Sequence, residues 1–224
     1  MKYSIIILIL LIMPSAYAWN WNTHQHIMEY VYLNLPPEKK LELNLTKLLD
    51  GAIIPDRDFK DHRNHHYPDS LEKAQNWLNN DTDLSLSIGI ASHYITDSFV
   101  APHNVMGESG AMHSKFENQV SNYYPKVECK DYNYTLEDLK IGTENAKDWD
   151  LWLKTKDKTI PEREVDQATK FLFSIVLKKL NVDCTGKTVV TETPYINTNK
   201  IILISLTIVI GLISLFIKKR SKFL

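Results

Sequence analysis

Apolar positions along most of the chain recur every three or four residues, which is the period of an amphipathic α-helix. Alternating runs typical of strands are scarce, and only 188–191 suggests one. The pattern predicts helices over residues 23–35, 37–49, 70–78, 84–99, 111–123, 136–153 and 164–180. We therefore predict an all-α, multi-helix domain.

Two of these segments have a special place in the prediction. Residues 84–99 are the most apolar of the set, so we expect them to form a buried central helix. Residues 56–69 are crowded with Asp and His and predict a polar loop, after which Ser70 is a good N-cap for the next helix.

The two ends of the chain differ from the middle. Residues 1–18 combine Lys2, an apolar run and the small-x-small ending Ala16-Tyr17-Ala18, which is the layout of a secretory signal peptide. Residues 201–217 are uncharged and apolar, and basic residues follow them, as in a membrane-spanning helix with a cytoplasmic stop. The predicted order is signal peptide 1–18, extracytoplasmic domain 19–184, linker 185–200, single transmembrane helix 201–217 in the cell membrane and cytoplasmic tail 218–224.

Charge and residue counts narrow the function of the middle segment. Six of the 26 basic residues lie outside 19–199 and all 27 acidic residues lie inside it, so this segment has a net charge of −7. An acidic domain is a poor nucleic-acid binder, which makes nucleic acid an unexpected partner. All 8 His fall between His24 and His113, which indicates a histidine-based site in the first half. Cys129 and Cys184 could form one disulfide outside the cell, with two free thiols as the alternative.

Two short segments have the residue types and spacing of metal ligands. His93 and Asp97 are four residues apart, as are His113 and Glu117, so each pair shares one face of a helix. His103 lies between the pairs. Imidazole nitrogen and carboxylate oxygen are suitable ligands for Zn²⁺. A buried His and Asp on the most apolar helix also need a partner or a metal ion.

Further candidate ligands precede these pairs. The polar loop contributes Asp56 and either His65 or its neighbour His66, and His24 lies in the first predicted helix. If cleavage frees Trp19, its amine has a pKa near ~8 and can bind a metal ion together with its own carbonyl.

The ordered set of these positions resembles the zinc-dependent phospholipase C family, which shares an all-helical trinuclear-zinc fold with the fungal single-strand nucleases. In that family a processed N-terminal Trp is followed by a His, an Asp after a Gly-containing turn, His-x-Tyr, His-Tyr-x-x-Asp, a further His and His-Ser-Lys-aromatic-Glu-Asn. The corresponding residues are Trp19, His24, Asp56, His65, His93, Asp97, His103, His113 and Glu117. The His-x-Tyr match favours His65 over His66.

The resemblance implies three zinc ions. One would be held by Asp56, His65 and His93, and a second by Trp19 and His24, with Asp97 bridging the two. The remaining three residues (His103, His113 and Glu117) would hold the third.

The resemblance also implies a reaction. A zinc-activated water would cleave a phospholipid, or another phosphodiester, on the glycerol side of the phosphate. Asp56 would orient or deprotonate that water, and the C-terminal helix would keep the domain at the membrane.

Two other functions remain open. A nuclease of the same fold is the first, although such nucleases generally carry Asp at the position of Glu117. The second is a non-catalytic surface protein that zinc only stabilises. Choline specificity is not implied, because Asn20 and Asn22 beside the expected N-terminus are uncharged.

Overall fold

The structure is a computed structural model that describes residues 20–61 and 63–184. Helices and helical turns account for the regular structure of these residues, as the periodicity predicted, and no strand occurs among them. The helices are α1 (Trp21–Leu33), α2 (Pro37–Glu42), α3 (Leu45–Gly51), α4 (Asp69–Leu78), α5 (Leu84–Asp97), α6 (Gly110–Asn118), α7 (Ala146–Thr155) and α8 (Thr159–Leu180). One turn of π-helix (Pro55–Phe59) and two 3₁₀ helices (Ala101–Asn104 and Leu136–Asn145) lie between them.

Helix α5 is the central element of the domain, as its apolar sequence predicted. It packs against α1, α3, α4 and α8, and nearly every one of its side chains from Ser85 to Asp97 is buried. Asp83 caps its first turn, with the carboxylate accepting from the backbone N–H of Leu86 at 3.2 Å. Because all sides of α5 are covered, its polar side chains lie inside the core.

Glycines allow α3 and α5 to approach closely. Gly51 and Gly89 face each other at the crossing, and a Cβ atom built on Gly89 would lie 3.0 Å from the Cα of Gly51. Carbon atoms in contact normally lie about 3.5–4.0 Å apart, so a side chain at either position would push the helices apart.

The second half of the domain contributes a cluster of buried aromatic residues to the core. Phe116, Trp152 and Phe171 are fully buried, and the rings of Phe116 and Trp152 meet edge to face at 5.0 Å. Cys129 and Cys184 are joined by a disulfide with their Cα atoms 5.7 Å apart. The disulfide joins the loop that contains Cys129 to the segment that follows α8.

Several predicted elements differ from the structure at their boundaries. The predicted helix 37–49 is two helices, because Leu43 is extended (φ −108°, ψ 145°) and Asn44 caps α3 by accepting from the N–H of Lys47. Helix α4 begins at Asp69, so Ser70 lies inside the helix and is not its N-cap. The buried hydroxyl of Ser70 instead lies 2.7 Å from the hydroxyl of Ser98.

The predicted helix 136–153 begins as a 3₁₀ helix and becomes α-helical only at Ala146. The predicted helix 164–180 begins earlier, at Thr159, because Pro161 is tolerated within a first helical turn. The predicted polar loop 56–69 begins with the π-helical turn, whose Asp56 is buried.

The predictions for the chain termini fall outside the described residues. This applies to the signal peptide, the linker, the strand 188–191 and the transmembrane helix 201–217. Within residues 20–61 and 63–184, no helix is long and apolar enough to cross a membrane.

Candidate metal centre

His93 and Asp97 project from α5 into the interior of the domain. Both side chains are fully buried, and Nε2 of His93 lies 3.3 Å from Oδ2 of Asp97. The other ring nitrogen, Nδ1 of His93, lies 2.9 Å from the carbonyl oxygen of Ala52. Ala52 directly follows α3, so the close crossing of α3 and α5 places this carbonyl against the histidine ring.

His24 reaches the same point from α1. Its Nε2 lies 3.2 Å from Oδ1 of Asp97, and its ring stacks on that of His93 with centroids 4.2 Å apart. Its Nδ1 lies 3.0 Å from the hydroxyl oxygen of Thr96. Thr96 itself donates to the carbonyl of His93, so its oxygen is left to accept from His24.

Asp56 and His65 complete this side of the centre. Oδ1 of Asp56 lies 3.6 Å from Nε2 of both His65 and His93, and Nδ1 of His65 lies 2.7 Å from Oδ2 of Asp97. The loop that carries His65 is held to α5 by Asp61, which accepts from the hydroxyl of Tyr94 at 2.9 Å.

A second cluster adjoins the first. Nε2 of His113 lies 2.7 Å and Nε2 of His103 lies 3.5 Å from the same carboxylate oxygen, Oε1 of Glu117. Nδ1 of His103 lies 3.1 Å from the backbone carbonyl of Asp97, which links the two clusters. The Glu117 side chain is only 1% exposed and that of His113 is 16% exposed, so this cluster opens towards solvent on the His113 side.

The hydrogen bonds of the histidine rings indicate what the clusters can bind. A carbonyl oxygen can only accept, so His93 and His103 must carry a proton on Nδ1, and Thr96 imposes the same arrangement on His24. Their Nε2 atoms then face the buried carboxylates and have a lone pair available for a cation, which can be a proton or a metal ion. Histidines that bind zinc are oriented in this way by their second nitrogen.

Several buried polar atoms support the same conclusion. Both carboxylate oxygens of Asp97, Nε2 of His93 and Oε2 of Glu117 make no hydrogen bond of standard geometry within the described parts of the chain, although histidine nitrogens lie 2.7–3.3 Å from the Asp97 oxygens. Leaving such atoms buried and unsatisfied is costly. A cation coordinated by nitrogen and oxygen would satisfy all of them.

Burial and neighbouring charges shift the pKa values of Asp97, Asp56 and His113. Burial alone would raise the pKa of Asp97, but the surrounding histidines lower it well below its usual range. Burial and nearby Asp97 oppose ionisation of Asp56, yet His93 and His65 lower its pKa as well. Burial would lower the pKa of His113, but Glu117 and Glu108 raise it to about 9. Asp97 and Asp56 are therefore carboxylates at neutral pH, the form that binds metal ions.

Three groups have donor atoms close enough to share an ion, within 4.8 Å of one another. They are His24 with Asp56 and His93, His65 with Asp97 and His103, and His103 with His113 and Glu117. Nitrogen and oxygen donors in sets of three fit Zn²⁺. The last group has the membership predicted from the sequence, whereas His65 is grouped differently. The predicted set of Asp56, His65 and His93 also lies together, so the allocation of ligands to individual ions stays a prediction.

One predicted ligand and three histidines are not accounted for by these clusters: Trp19, His26, His62 and His66. Trp19 and His62 fall outside the described residues. His66 is exposed while its neighbour His65 is buried in the centre, which favours His65 as the ligand. His26 is buried against Tyr124, and burial lowers its pKa to about 4.

Comparison with known protein families agrees with this geometry. The sequence model of one family, described as zinc dependent phospholipase C, matches residues 23–181. The chain belongs to this family. No curated protein and no solved structure gives a significant match.

In this zinc-dependent phospholipase C family member, the sequence did not reveal the groups that orient the histidines. The carbonyl of Ala52, the hydroxyl of Thr96 and the carboxylate of Glu108 each contact an Nδ1 atom. A backbone carbonyl leaves no trace in a sequence. Thr96 does precede Asp97, and a hydroxyl beside a predicted buried ligand is the one signal that could have been used.

Proposed function

We propose that the protein is a zinc-dependent phosphodiester hydrolase of the phospholipase C type. It would cleave a phospholipid between glycerol and phosphate and release a phosphorylated head group. The observation that carries the proposal is the set of Nε2 atoms of His24, His93 and His103, which face buried carboxylates while their Nδ1 atoms are occupied. The family match supports the choice of zinc and of reaction type.

Asp97 has the central role in holding the ions. Its Oδ1 faces His24, and its Oδ2 faces both His65 and His93. A carboxylate with histidines on both of its oxygens is suited to bridge two ions, which supports the bridging role predicted from the sequence. Three ions are our proposal for the stoichiometry, with Trp19 and His24 completing one site.

Bound zinc would supply positive charge for the phosphodiester and would lower the pKa of a coordinated water towards ~7. The chain itself supplies a base, because Asp56 is buried, ionised and within 3.6 Å of two histidine nitrogens. We assign Asp56 to orient the attacking water and to accept its proton. The surrounding histidines keep this carboxylate in the unprotonated form that the step requires.

The disulfide supports an extracytoplasmic location, since such bonds persist in oxidising compartments. We propose that the domain faces away from the cytoplasm and that residues 201–217 anchor it in the cell membrane. Anchoring would hold the active site near its lipid substrate and raise the effective substrate concentration.

The test uses the chain processed at Trp19 and otherwise complete, purified in detergent with zinc, and a panel of phospholipids that differ in head group. We expect release of phosphorylated head group, and loss of at least 10³-fold in rate for His93→Ala and Asp97→Ala, because these residues would hold the ions. His66→Ala is the matched control, since this exposed histidine lies outside the centre, and it should retain wild-type activity.

Single-stranded DNA is assayed in parallel. Zinc-loaded protein that cleaves DNA and no phospholipid would refute the lipid reaction in favour of the nuclease. Zinc-loaded protein that cleaves neither substrate would point to the non-catalytic alternative.

A further inference from the structure

In four histidines of the metal centre, Nδ1 contacts an oxygen atom that is not a predicted metal ligand. These four oxygen atoms differ in charge. His24, His93 and His103 contact a neutral hydroxyl or a backbone carbonyl. His113 instead contacts a carboxylate, with its Nδ1 2.9 Å from Oε1 of Glu108. The same ring lies 2.7 Å from Glu117 through Nε2, so His113 is held between two acids.

Glu108 reaches this position from the short segment between the first 3₁₀ helix and α6. It is five residues before His113, a spacing that does not place the two on one helical face, and it precedes the first residue of α6. Its side chain is 24% exposed, so it lies at the solvent edge of the cluster formed by His103, His113 and Glu117. Glu108 thus lies in the segment between two predicted ligands, His103 and His113, and contacts the second of them, although it is not itself a predicted ligand.

We propose that Glu108 is a positioning residue that sets the zinc affinity of the His103–His113–Glu117 group. Its carboxylate accepts the Nδ1 proton of His113, which fixes the ring with Nε2 facing Glu117, where a metal ion would take the place of the Nε2 proton. An ionised acceptor also increases the electron density on Nε2 more than a neutral carbonyl does, and so strengthens the bond to a metal ion. This inference rests on zinc binding by this group, and it does not depend on the identity of the substrate.

The deeper burial of the other three histidines explains why a charged partner matters most at His113. His24, His93 and His103 are held by groups on or beside the buried central helix α5. His113 is the most exposed of the four, so packing restrains its ring less. A charge-assisted hydrogen bond is about twice as strong as a neutral one and can replace that packing.

The test compares Glu108→Ala and Glu108→Gln with the wild-type full chain in zinc competition titrations against a chromophoric chelator. Glu108→Ala should weaken the most weakly bound zinc by about 10–100-fold, the range seen when such a partner is removed. Glu108→Gln keeps a neutral acceptor oxygen, so its zinc affinity should lie between those of the wild type and Glu108→Ala. Glu128→Ala removes the same charge from another exposed loop, near Lys130 and away from the histidines, and should bind zinc as the wild type does.

A double-mutant cycle assigns the effect to His113. In a His113→Ala background, Glu108→Ala should cause no additional loss of zinc affinity, whereas in a His24→Ala background the full loss should remain. Thermal unfolding in the presence of a chelator should be the same for Glu108→Ala and for wild type within about 2 °C.

Three outcomes would overturn the proposal. They are wild-type zinc affinity in Glu108→Ala, an undiminished loss of affinity in the His113→Ala background, and a large loss of stability without zinc, which would mean a structural role. Failure of lipid hydrolysis in the wild type would reject the proposed reaction while leaving this result intact.

Discussion

The close crossing of α3 and α5 makes Gly89→Ala the most informative single substitution in the fold. A Cβ atom at Gly89 would lie 3.0 Å from the Cα of Gly51 and 3.1 Å from the carbonyl carbon of Leu48, and closer still to the oxygen of Leu48. These neighbours are backbone atoms, which cannot rotate away as a flexible side chain can. The two helices must therefore separate by about 0.5–1 Å to restore ordinary contact distances.

The energetic cost follows from this geometry. Overpacking of this kind costs about 1–3 kcal/mol, and the backbone neighbours place Gly89→Ala in the upper part of that range. The better helix propensity of Ala offsets up to about 1 kcal/mol. A net loss of about 1–2 kcal/mol should lower the melting temperature by about 2–8 °C for a domain of this size.

The same separation should also affect the metal centre. His93 is one turn after Gly89, and its Nδ1 contacts the carbonyl of Ala52 at 2.9 Å, next to Gly51. Separation of the helices would lengthen this distance to about 3.5 Å, beyond a normal hydrogen bond. Loss of this orienting contact should weaken zinc binding by about 10-fold or more.

Thermal unfolding followed by circular dichroism measures the first effect, and zinc competition titration measures the second. Gly110→Ala is the matched control, because Gly110 also lies in a helix but a Cβ atom there meets nothing within 4 Å. It should be neutral or slightly stabilising. If Gly89→Ala melts and binds zinc like Gly110→Ala, the coupling between the helix crossing and His93 is wrong.

Three further predictions concern other parts of the domain. Asn44→Ala removes the cap of α3 and should cost about 1 kcal/mol in unfolding free energy, measured by urea denaturation; an unchanged midpoint would contradict the capping role. Burial raises the pKa of Glu164 well above its usual range, so the folded state retains a proton that the unfolded state loses above about pH 4.3. The free energy of unfolding should therefore fall by about 1.4 kcal/mol per pH unit from about pH 4.3 up to the pKa of Glu164 in the folded protein. Glu164→Gln should not show this fall, and parallel stability–pH profiles for the variant and the wild type would contradict the prediction. Reduction of Cys129–Cys184, whose partners are 55 residues apart, should cost about 4 kcal/mol, and an unshifted melting curve after reduction would exclude a stabilising role.

Much of the helical architecture could be predicted because periodicity is a local property. The central position of α5 followed from its apolar sequence, and the pairing of His93 with Asp97 followed from their spacing on one helical turn. The break before α3 was missed because an apolar pattern continues through Leu43, while the capping by Asn44 depends on a single side chain.

The metal centre shows where local reasoning ends. Eight of the nine predicted ligands lie together in the two clusters, and the ninth, Trp19, is outside the described residues. The sequence did not predict which carboxylate each histidine faces, because His65 and Asp56 are placed by the packing of a loop against α5. Glu108 was missed for the same reason, since its contact with His113 depends on how a turn folds back.

The gradient of burial across the two clusters has a kinetic consequence. Asp97 and His93 are inaccessible to solvent, whereas His113 is 16% exposed at the outer edge. A bound ion can leave only when water or a chelator reaches its ligands. Exchange with free metal should therefore be faster at the exposed group that contains His113 than at the buried group that contains His93 and Asp97. Isotopically labelled zinc should therefore enter the protein in at least two phases, with the slow phase limited by opening of the core around α5.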